Sequence, residues 1–450
     1  MFHQAARQFQ QNHFEPMLYF QDTTKRSLSD YKLPAPTRLL LERSLGQLNL
    51  ALHIDCWGAD QILINQGLAG SAPPLNIRID HPGVVRLFVQ GRDPFQLLEA
   101  YLHGLLHFDA AVDSIAHFAD CVQSARPTWL EYVRGAVGSY SLPKLALKTG
   151  QRPWHSLPLG SKERDREAVR YHYDVGNEFY QLWLGPDPVY SCAYFARTET
   201  DLAQAQEAKL DLICRRLELR PGEHLLDIGC GWGALLRWAV KKYGVIGHGI
   251  TLSEEQWQFN QKKIKQENLE DRLKVEIVDY RDLANVQLFD KVVSIEMIEQ
   301  VRIENYPVYF GKALRCLKPG GLFLCQAITT IKERAHHDLA ERFIADYIFP
   351  DGELSSLPKL IAAAKQSGWD LILAESWRPH YAMTLRRWAA NLQSQGENAE
   401  QLVGLRHVRL WMLYLIGCAL AYEANRLGVY QLLLHKSSDV IRFHANTVLP

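Results

Sequence analysis

The run Leu225-Leu226-Asp227-Ile228-Gly229-Cys230-Gly231-Trp232-Gly233 carries the sharpest chemical signal in this 450-residue chain. A short apolar stretch leads into three glycines at two-residue spacing, and a helical pattern follows over residues 234–242. Glycine lets a backbone turn tightly and approach a ligand closely. The dinucleotide fingerprint G-x-G-x-x-G serves a pyrophosphate seated on a helix N-terminus. Here the spacing is G-x-G-x-G, and Asp227 stands two positions before the first glycine. A carboxylate there repels a pyrophosphate but suits a ligand bearing an ammonium and a sulfonium. S-adenosylmethionine is such a ligand, and Asp227, Gly229, Gly231 and Gly233 are expected to hold it.

Two further segments fit the same ligand. Gly249-Ile250-Thr251-Leu252-Ser253-Glu254-Glu255-Gln256 ends a second apolar run. Many nucleoside-binding folds use an acid there for the ribose hydroxyls; Thr251, Ser253 and Gln256 can make those contacts as neutral partners. Ser253 followed by Gln256 is also a capping-box pattern, and both roles can coexist. After a third run, Asp279 could accept from an adenine amino group and Tyr280 could flank its ring.

These segments need a scaffold that brings strand ends together. Short apolar runs at 224–228, 245–250, 275–278, 291–295 and 322–325 alternate with helical stretches, the pattern of βαβ units. The expected fold is α/β, a Rossmann-like class I methyltransferase sheet, doubly wound, with a helical cap. Past residue 385 the pattern reads as helical to Ser437. Upstream, residues 1 to about 35 read as a loose arm, and strand-like patterns follow over 38–91. There, 75–91 reads as strand, turn, strand, and helical spacing runs over 94–123. The domains expected are a small N-terminal α+β domain over 1–125, a proline-bearing linker over 126–167, and a methyltransferase domain over 168–450.

Composition narrows the function classes. Fifty basic and fifty acidic residues cancel, which removes any broad attraction to nucleic acid. The eight cysteines show no CxxC pair or zinc spacing and read as reduced cytoplasmic thiols; no metal is expected. The N-terminus has no signal-peptide core. The apolar run from Leu410 to Tyr422 is shorter than the roughly 20 residues a spanning helix needs. A soluble, cytoplasmic protein is expected.

His172-Tyr173-Asp174-Val175-Gly176-Asn177-Glu178-Phe179-Tyr180, Val189-Tyr190-Ser191-Cys192-Ala193-Tyr194-Phe195, the glycine loop and Gly249-Ile250-Thr251-Leu252-Ser253 together resemble the cyclopropane fatty acid synthase family, which includes mycolic acid cyclopropane synthases. The likeness spans about residues 168–440, and Leu98–Gly104 resembles the extra domain of longer members. It implies that Tyr190 and Ser191 contact the cofactor. It implies a bicarbonate ion near the reacting alkene, bound with help from Cys192 and Glu299, with the Ile328 backbone in its shell and Tyr381 as the active-site tyrosine. One position departs: Gln326 stands where the family has a histidine. Glutamine donates a hydrogen bond but cannot carry charge or shuttle a proton. That departure leaves bicarbonate and the product open.

The implied reaction transfers a methyl(ene) group from S-adenosylmethionine to the double bond of an unsaturated phospholipid acyl chain. Methyl addition leaves a carbocation, which a tyrosine face can stabilise by about 1–2 kcal/mol in a dry site. Proton loss with closure gives a cyclopropane; loss without closure gives a methylene, and later reduction gives a methyl branch. Glu299 is the candidate to act as the base or orient it, and Cys192 reads as a small polar lining group. Arg152-Pro153-Trp154-His155 and Arg386-Arg387-Trp388 pair cations with tryptophan, a mix favoured at lipid interfaces, so peripheral membrane association is expected. The N-terminal domain could serve lipid docking or dimerisation, and a methylene product would call for a partner reductase. The competing reading is a small-molecule amine N-methyltransferase of the same fold.

Overall fold

A computed structural model describes residues 27–437 except 49, 66–74, 92–93, 110–127, 146, 148–156, 174, 285 and 332–338. The chain divides into two compact units, one of residues 1–151 with 404–410, the other of 152–403 with 411–450. The N-terminal unit thus runs past the expected boundary at 125. Leu142, Leu145 and Leu147 belong to its core, so the prolines in this stretch do not mark a linker throughout.

In the first unit, α1 (Ala35–Gly46) precedes strands β1 (Leu52–Cys56), β2 (Asp60–Ile64) and β3 (Leu75–Ile79). Then come α2 (Pro82–Gln90), α3 (Pro94–Leu102), β4 (Leu106–Asp109) and α4 (Trp129–Ser139). The strands form one sheet in the order β2-β1-β3-β4. The second strand expected over 75–91 is instead the helix α2. Its valines favour strand by propensity, but Pro82 opens a helical turn and His81 caps it by accepting from the Gly83 amide. Val84, Val85 and Val89 then bury one helical face. The segment 404–410 joins this unit through ions: Arg406 reaches the fully buried Glu99 at 2.9 Å, and Arg409 donates to the Leu106 carbonyl at 3.1 Å.

The second unit is built on seven strands in the order β10-β11-β9-β8-β5-β6-β7. These are β5 (His224–Ile228), β6 (Ile246–Thr251), β7 (Leu273–Ile277), β8 (Phe289–Ile295), β9 (Leu317–Thr330), β10 (Trp369–Ser376) and β11 (Leu427–Lys436). β5 to β9 pair in parallel, and β11 runs antiparallel between β9 and β10. The Rossmann-like, doubly wound α/β sheet expected from the sequence is present. Alternate strand residues feed two cores. Leu225, Val293, Leu324 and Leu433 face one side; Leu226, Val292, Phe323 and Leu432 face the other. Each such side chain contributes roughly 1.5–3 kcal/mol when fully buried.

The helices that bear on the site are α5 (Lys162–Tyr173), α6 (Asn177–Leu184), α7 (Leu202–Arg216), α8 (Ala234–Tyr243), α9 (Glu254–Gln266), α10 (Tyr306–Cys316), α11 (Leu357–Gln366), α12 (Arg378–Ser394) and α13 (Gly396–Glu423). The expectation of helix to Ser437 fails at residue 425. Asn425 takes a left-handed φ of 56°, and β11 follows. Its apolar residues lie between two strands and are covered on both faces, so their sequence shows no period-2 alternation. By length and composition α13 is apolar enough to cross a membrane. It breaks at Gly404 (φ 78°), and beyond the break Trp411, Leu415, Ala419 and Tyr422 are buried in the fold.

Candidate active site

β5 and β8 lie side by side with their neighbours diverging to either side, the point where ligands bind across parallel sheets. A pocket opens there. Its lining includes Tyr190, Ser191, Asp227, Gly229, Gly231, Gly233, Thr251, Gln256, Asp279 and Tyr280, together with Lys209, Trp232, Arg281 and Glu296. Gly231 has a φ of 53° and no neighbouring atom within 4 Å of where a Cβ would stand, so its missing side chain leaves space for a ligand. Gly229, at φ 83°, has no such room: a Cβ would come within 2.7 Å of Met297.

The polar groups around this cradle are spoken for in different degrees. Burial pushes the Asp227 carboxyl up to about 7, and nearby Lys209 draws it down. Lys209 is itself buried, donates to the Ser191 hydroxyl at 2.8 Å, and is pushed down to about 8 by desolvation. Thr251 donates to the Gln256 side-chain oxygen at 2.7 Å, a pair oriented together along the lining. Asp279 receives the Arg281 guanidinium on both oxygens, at 2.8 and 2.6 Å. Ser253 is fully buried outside the lining and caps α9 by accepting from the Gln256 amide at 3.2 Å. Of its two expected roles, the structure gives it the cap. The Tyr190 phenol donates to the Tyr414 phenol at 3.1 Å, and its ring packs against Trp183, Trp388 and Trp411.

Beside the donor cradle stands a carboxylate that the sequence reading missed. One oxygen of Glu296 accepts from the Cys192 amide at 2.9 Å and from Gln326 Nε2 at 2.6 Å. The other accepts from the Tyr381 phenol at 2.6 Å. Burial raises the Glu296 pKa, and these three donors pull it back. Glu299 sits nearby. One of its oxygens accepts from the Ile328 amide at 2.5 Å, while the other is buried without a partner among the described residues. Burial and the adjacent Glu296 push Glu299 up to about 8. The arrangement sets a carboxyl gripped by three donors beside one that burial pushes up to about 8, a division typical of acid–base sites.

Cys192, Glu299, Gln326, Ile328 and Tyr381 therefore lie around one small region. A bound bicarbonate does not fit them as they stand. The Cys192 amide, Gln326 and Tyr381 already donate to Glu296, and the Ile328 amide donates to Glu299. A second anion would face the Glu296 carboxyl with the amide and phenol donors around it already occupied. The Cys192 thiol is fully buried and its pKa is driven well above the usual thiol range, which leaves it unsuited as a nucleophile.

Glu296 escaped the sequence reading, yet an acid at the end of an apolar parallel strand was a usable signal. Lys209 carried another: it follows Ala205 and precedes Ile213 by four residues, on the buried face of α7. The pairing of Arg386-Arg387 with Trp388 at an interface is corrected, because Trp388 is fully buried against Trp183. Arg152–His155 lies outside the described residues.

The profile of the mycolic acid cyclopropane synthetase family matches residues 160–432. The chain belongs to this family. It is 36% identical over 398 residues to a probable fatty acid methyltransferase of Pseudomonas putida, covering 88% of this chain and 94% of that protein. It is 36% identical over 279 residues to cyclopropane mycolic acid synthase 1 of Mycobacterium tuberculosis, covering 60% and 96%. The solved cyclopropane synthase MmaA2 from Mycobacterium tuberculosis superposes with a TM-score of 0.58 at 34% identity, over 60% of this chain and 98% of that one. Mycolic acid cyclopropane synthase CmaA1, solved in complex with SAH and CTAB, gives 0.57 at 34% identity, covering 60% and 98%. A coclaurine N-methyltransferase matches at 20% identity, a likeness of fold alone. This synthetase-family member is an S-adenosylmethionine-dependent methyltransferase.

Proposed function

We propose that the enzyme transfers a methyl(ene) group to the double bond of an unsaturated phospholipid acyl chain, giving a cyclopropane or a methyl- or methylene-branched chain. When bound, S-adenosylmethionine supplies the electrophilic methyl group. Asp227 pairs with its ammonium, and Thr251, Gln256, Asp279 and Tyr280 line the nucleoside end. Transfer would leave the donor as its neutral thioether and the alkene with a new C–C bond and a cation on the neighbouring carbon. The tyrosine rings of Tyr381 and Tyr422, 4.8 Å apart, offer faces to that cation, and their burial keeps out the water that would trap it.

Glu296 is the catalytic base in this reading. It takes a proton from the new methyl group, either directly as a ring closes or after a 1,2-hydride shift has moved the cation to the methyl-bearing carbon, which leaves a methylene. The single observation that carries the proposal is this carboxylate, gripped by Tyr381, Gln326 and the Cys192 amide on the lining of the donor pocket.

A lipid head group finds matching chemistry nearby. Arg378, Arg386 and Arg387 line a surface hollow with Pro379, Ala382, Met383, Tyr422 and Glu423; Arg386 is paired with Glu423 at 2.8 Å, and Arg378 and Arg387 each donate to a backbone carbonyl. Guanidinium forks suit a phosphodiester. Such a hollow supports peripheral attachment to a lipid surface, with Tyr422 common to the hollow and the aromatic pair. Expression in a bacterium that lacks lipid methylation, followed by mass spectrometry of its fatty acids, tests the whole reading. A gain of one CH2 with unsaturation lost indicates a ring, and retained unsaturation indicates a methylene. Unchanged lipids alongside methylated amines would sink it.

A further inference from the structure

Gln326 is fully buried, and both ends of its amide are engaged. Its NH2 donates to Glu296 at 2.6 Å, and its oxygen accepts from Gln431 Nε2 at 2.8 Å. The two glutamines face each other directly across β9 and β11. The Gln431 oxygen in turn accepts from Arg216 Nη1 at 2.5 Å. Arg216, 4% exposed at the end of α7, is anchored by Glu375 at 2.6 Å, and the Trp377 indole donates to that same carboxylate oxygen at 2.5 Å.

The direction of this chain of hydrogen bonds is forced by chemistry. A guanidinium has donors and no acceptor. Gln431 must therefore turn its oxygen to Arg216, which leaves its NH2 for Gln326. Gln326 must then accept from Gln431, which leaves its own NH2 for Glu296. A reversed Gln326 would set a carbonyl oxygen against a carboxylate and two NH2 groups against each other. In a buried setting each such mismatch strands polar groups without partners, a penalty of about 1–3 kcal/mol per group.

We propose that Arg216 and Gln431 are positioning residues that lock the Gln326 amide so that it can only donate to Glu296. The lock rests on the reading of Glu296 as the base. One arginine thus sets the orientation of the base from three side chains away. The glutamine that replaces the family histidine works here as a fixed dipole, a part a proton-shuttling residue could not play as steadily. Release of the lock removes a donor from the ionised carboxylate and raises the pH at which it loses its charge.

The other groups facing Glu296 stay unchanged in the variants that test this. They are Tyr381 from α12, Lys209 from α7, Cys192 from the loop before α7 and Glu299 from the turn after β8. Tyr173 from α5 and Tyr414 and Tyr422 from α13 complete the set among the described residues.

The experiment measures single-turnover methyl transfer to anionic phospholipid vesicles as a function of pH, in the full chain and in Gln431→Glu, Arg216→Met and Arg216→Lys. Gln431→Glu keeps an acceptor for Arg216 but has no NH2 for Gln326, so it breaks the lock with little change of shape. The acid limb of its rate profile is expected to rise by about one pH unit, with a roughly tenfold slower rate on that limb. Arg216→Lys keeps a donor-only cation and is expected to recover most of what Arg216→Met loses. Binding of S-adenosylhomocysteine stays at the parental affinity in all three. An unshifted acid limb in Gln431→Glu, or Arg216→Lys no better than Arg216→Met, overturns the proposal. Infrared difference spectra against Glu296→Gln read the ionisation of the same carboxyl without any substrate. They keep the lock testable should the parent methylate no lipid, an outcome that counts against the proposed function alone.

Discussion

The phenol of Tyr381 donates to Glu296 across 2.6 Å, from the first turn of α12 to the end of β8. A charge-assisted bond of this kind contributes roughly 1.5–3 kcal/mol. Tyr381→Phe keeps the ring that packs on Tyr422 and removes only the donor. The variant is expected to lose roughly 10- to 100-fold in the rate of methyl transfer, with donor affinity unchanged. Rapid-quench kinetics and calorimetric titration with S-adenosylhomocysteine separate the two.

Glu299 supplies a pH signature in stability. Burial and the neighbouring Glu296 push it up to about 8, above its usual range near 4.5. Between those values the native state keeps a proton that the unfolded chain has already released. Stability from this group is therefore full below about 4.5 and is lost as pH rises through about 8. Urea unfolding of the parent at pH 5, 6.5 and 8 is expected to show a falling midpoint whose slope Glu299→Gln reduces, the remaining decline belonging to Asp227, whose carboxyl burial also raises. An equal decline in both proteins would mean that Glu299 ionises freely.

The cofactor cradle makes a different demand. Asp227 must be ionised to hold an ammonium, and burial sets its pKa at about 7 with Lys209 pulling it down. Lys209→Met removes that pull, so Asp227 keeps its proton to higher pH. Donor affinity is expected to fall roughly tenfold at pH 7 and to recover as pH rises toward 9, a shift of about one unit from the parental curve. Isothermal titration across pH 6–9 checks it; a parallel loss at every pH would assign Lys209 a packing role instead.

The donor half of this site was legible because a glycine loop must be local: the residues that cradle the ligand are neighbours in sequence. Strand β5 was read with its observed bounds for the same reason, its flanks being turn residues. The base was not legible. Glu296 becomes a site residue only when β8, β9 and α12 bring Tyr381, Gln326 and the Cys192 amide onto it from distant parts of the chain. Gln431 was hidden further, because β11 is sandwiched between β9 and β10, is covered on both faces and shows no period-2 alternation, so it reads as a continuation of the helix α13. α2 was misread for a related reason, its valines being placed in a helix by a proline, a histidine cap and a core to fill.

Removing the base altogether gives the sharpest test of what the site holds. Glu296→Gly empties the carboxylate position and leaves the Tyr381 phenol, the Gln326 amide and the Cys192 amide aimed at the space it occupied. Three unpaired buried donors form an anion site by default. The variant is expected to lose at least about 1,000-fold in methyl transfer, a general-base contribution at its upper range. Added formate, acetate or bicarbonate is expected to restore part of the rate in a saturable way, with the smallest anions most effective. The parent, whose own carboxylate fills the position, is expected to show no response to the same salts at constant ionic strength. Stimulation of the parent by bicarbonate would mean that the ion displaces Glu296 from its three donors, and the assignment of Glu296 as the base would fall.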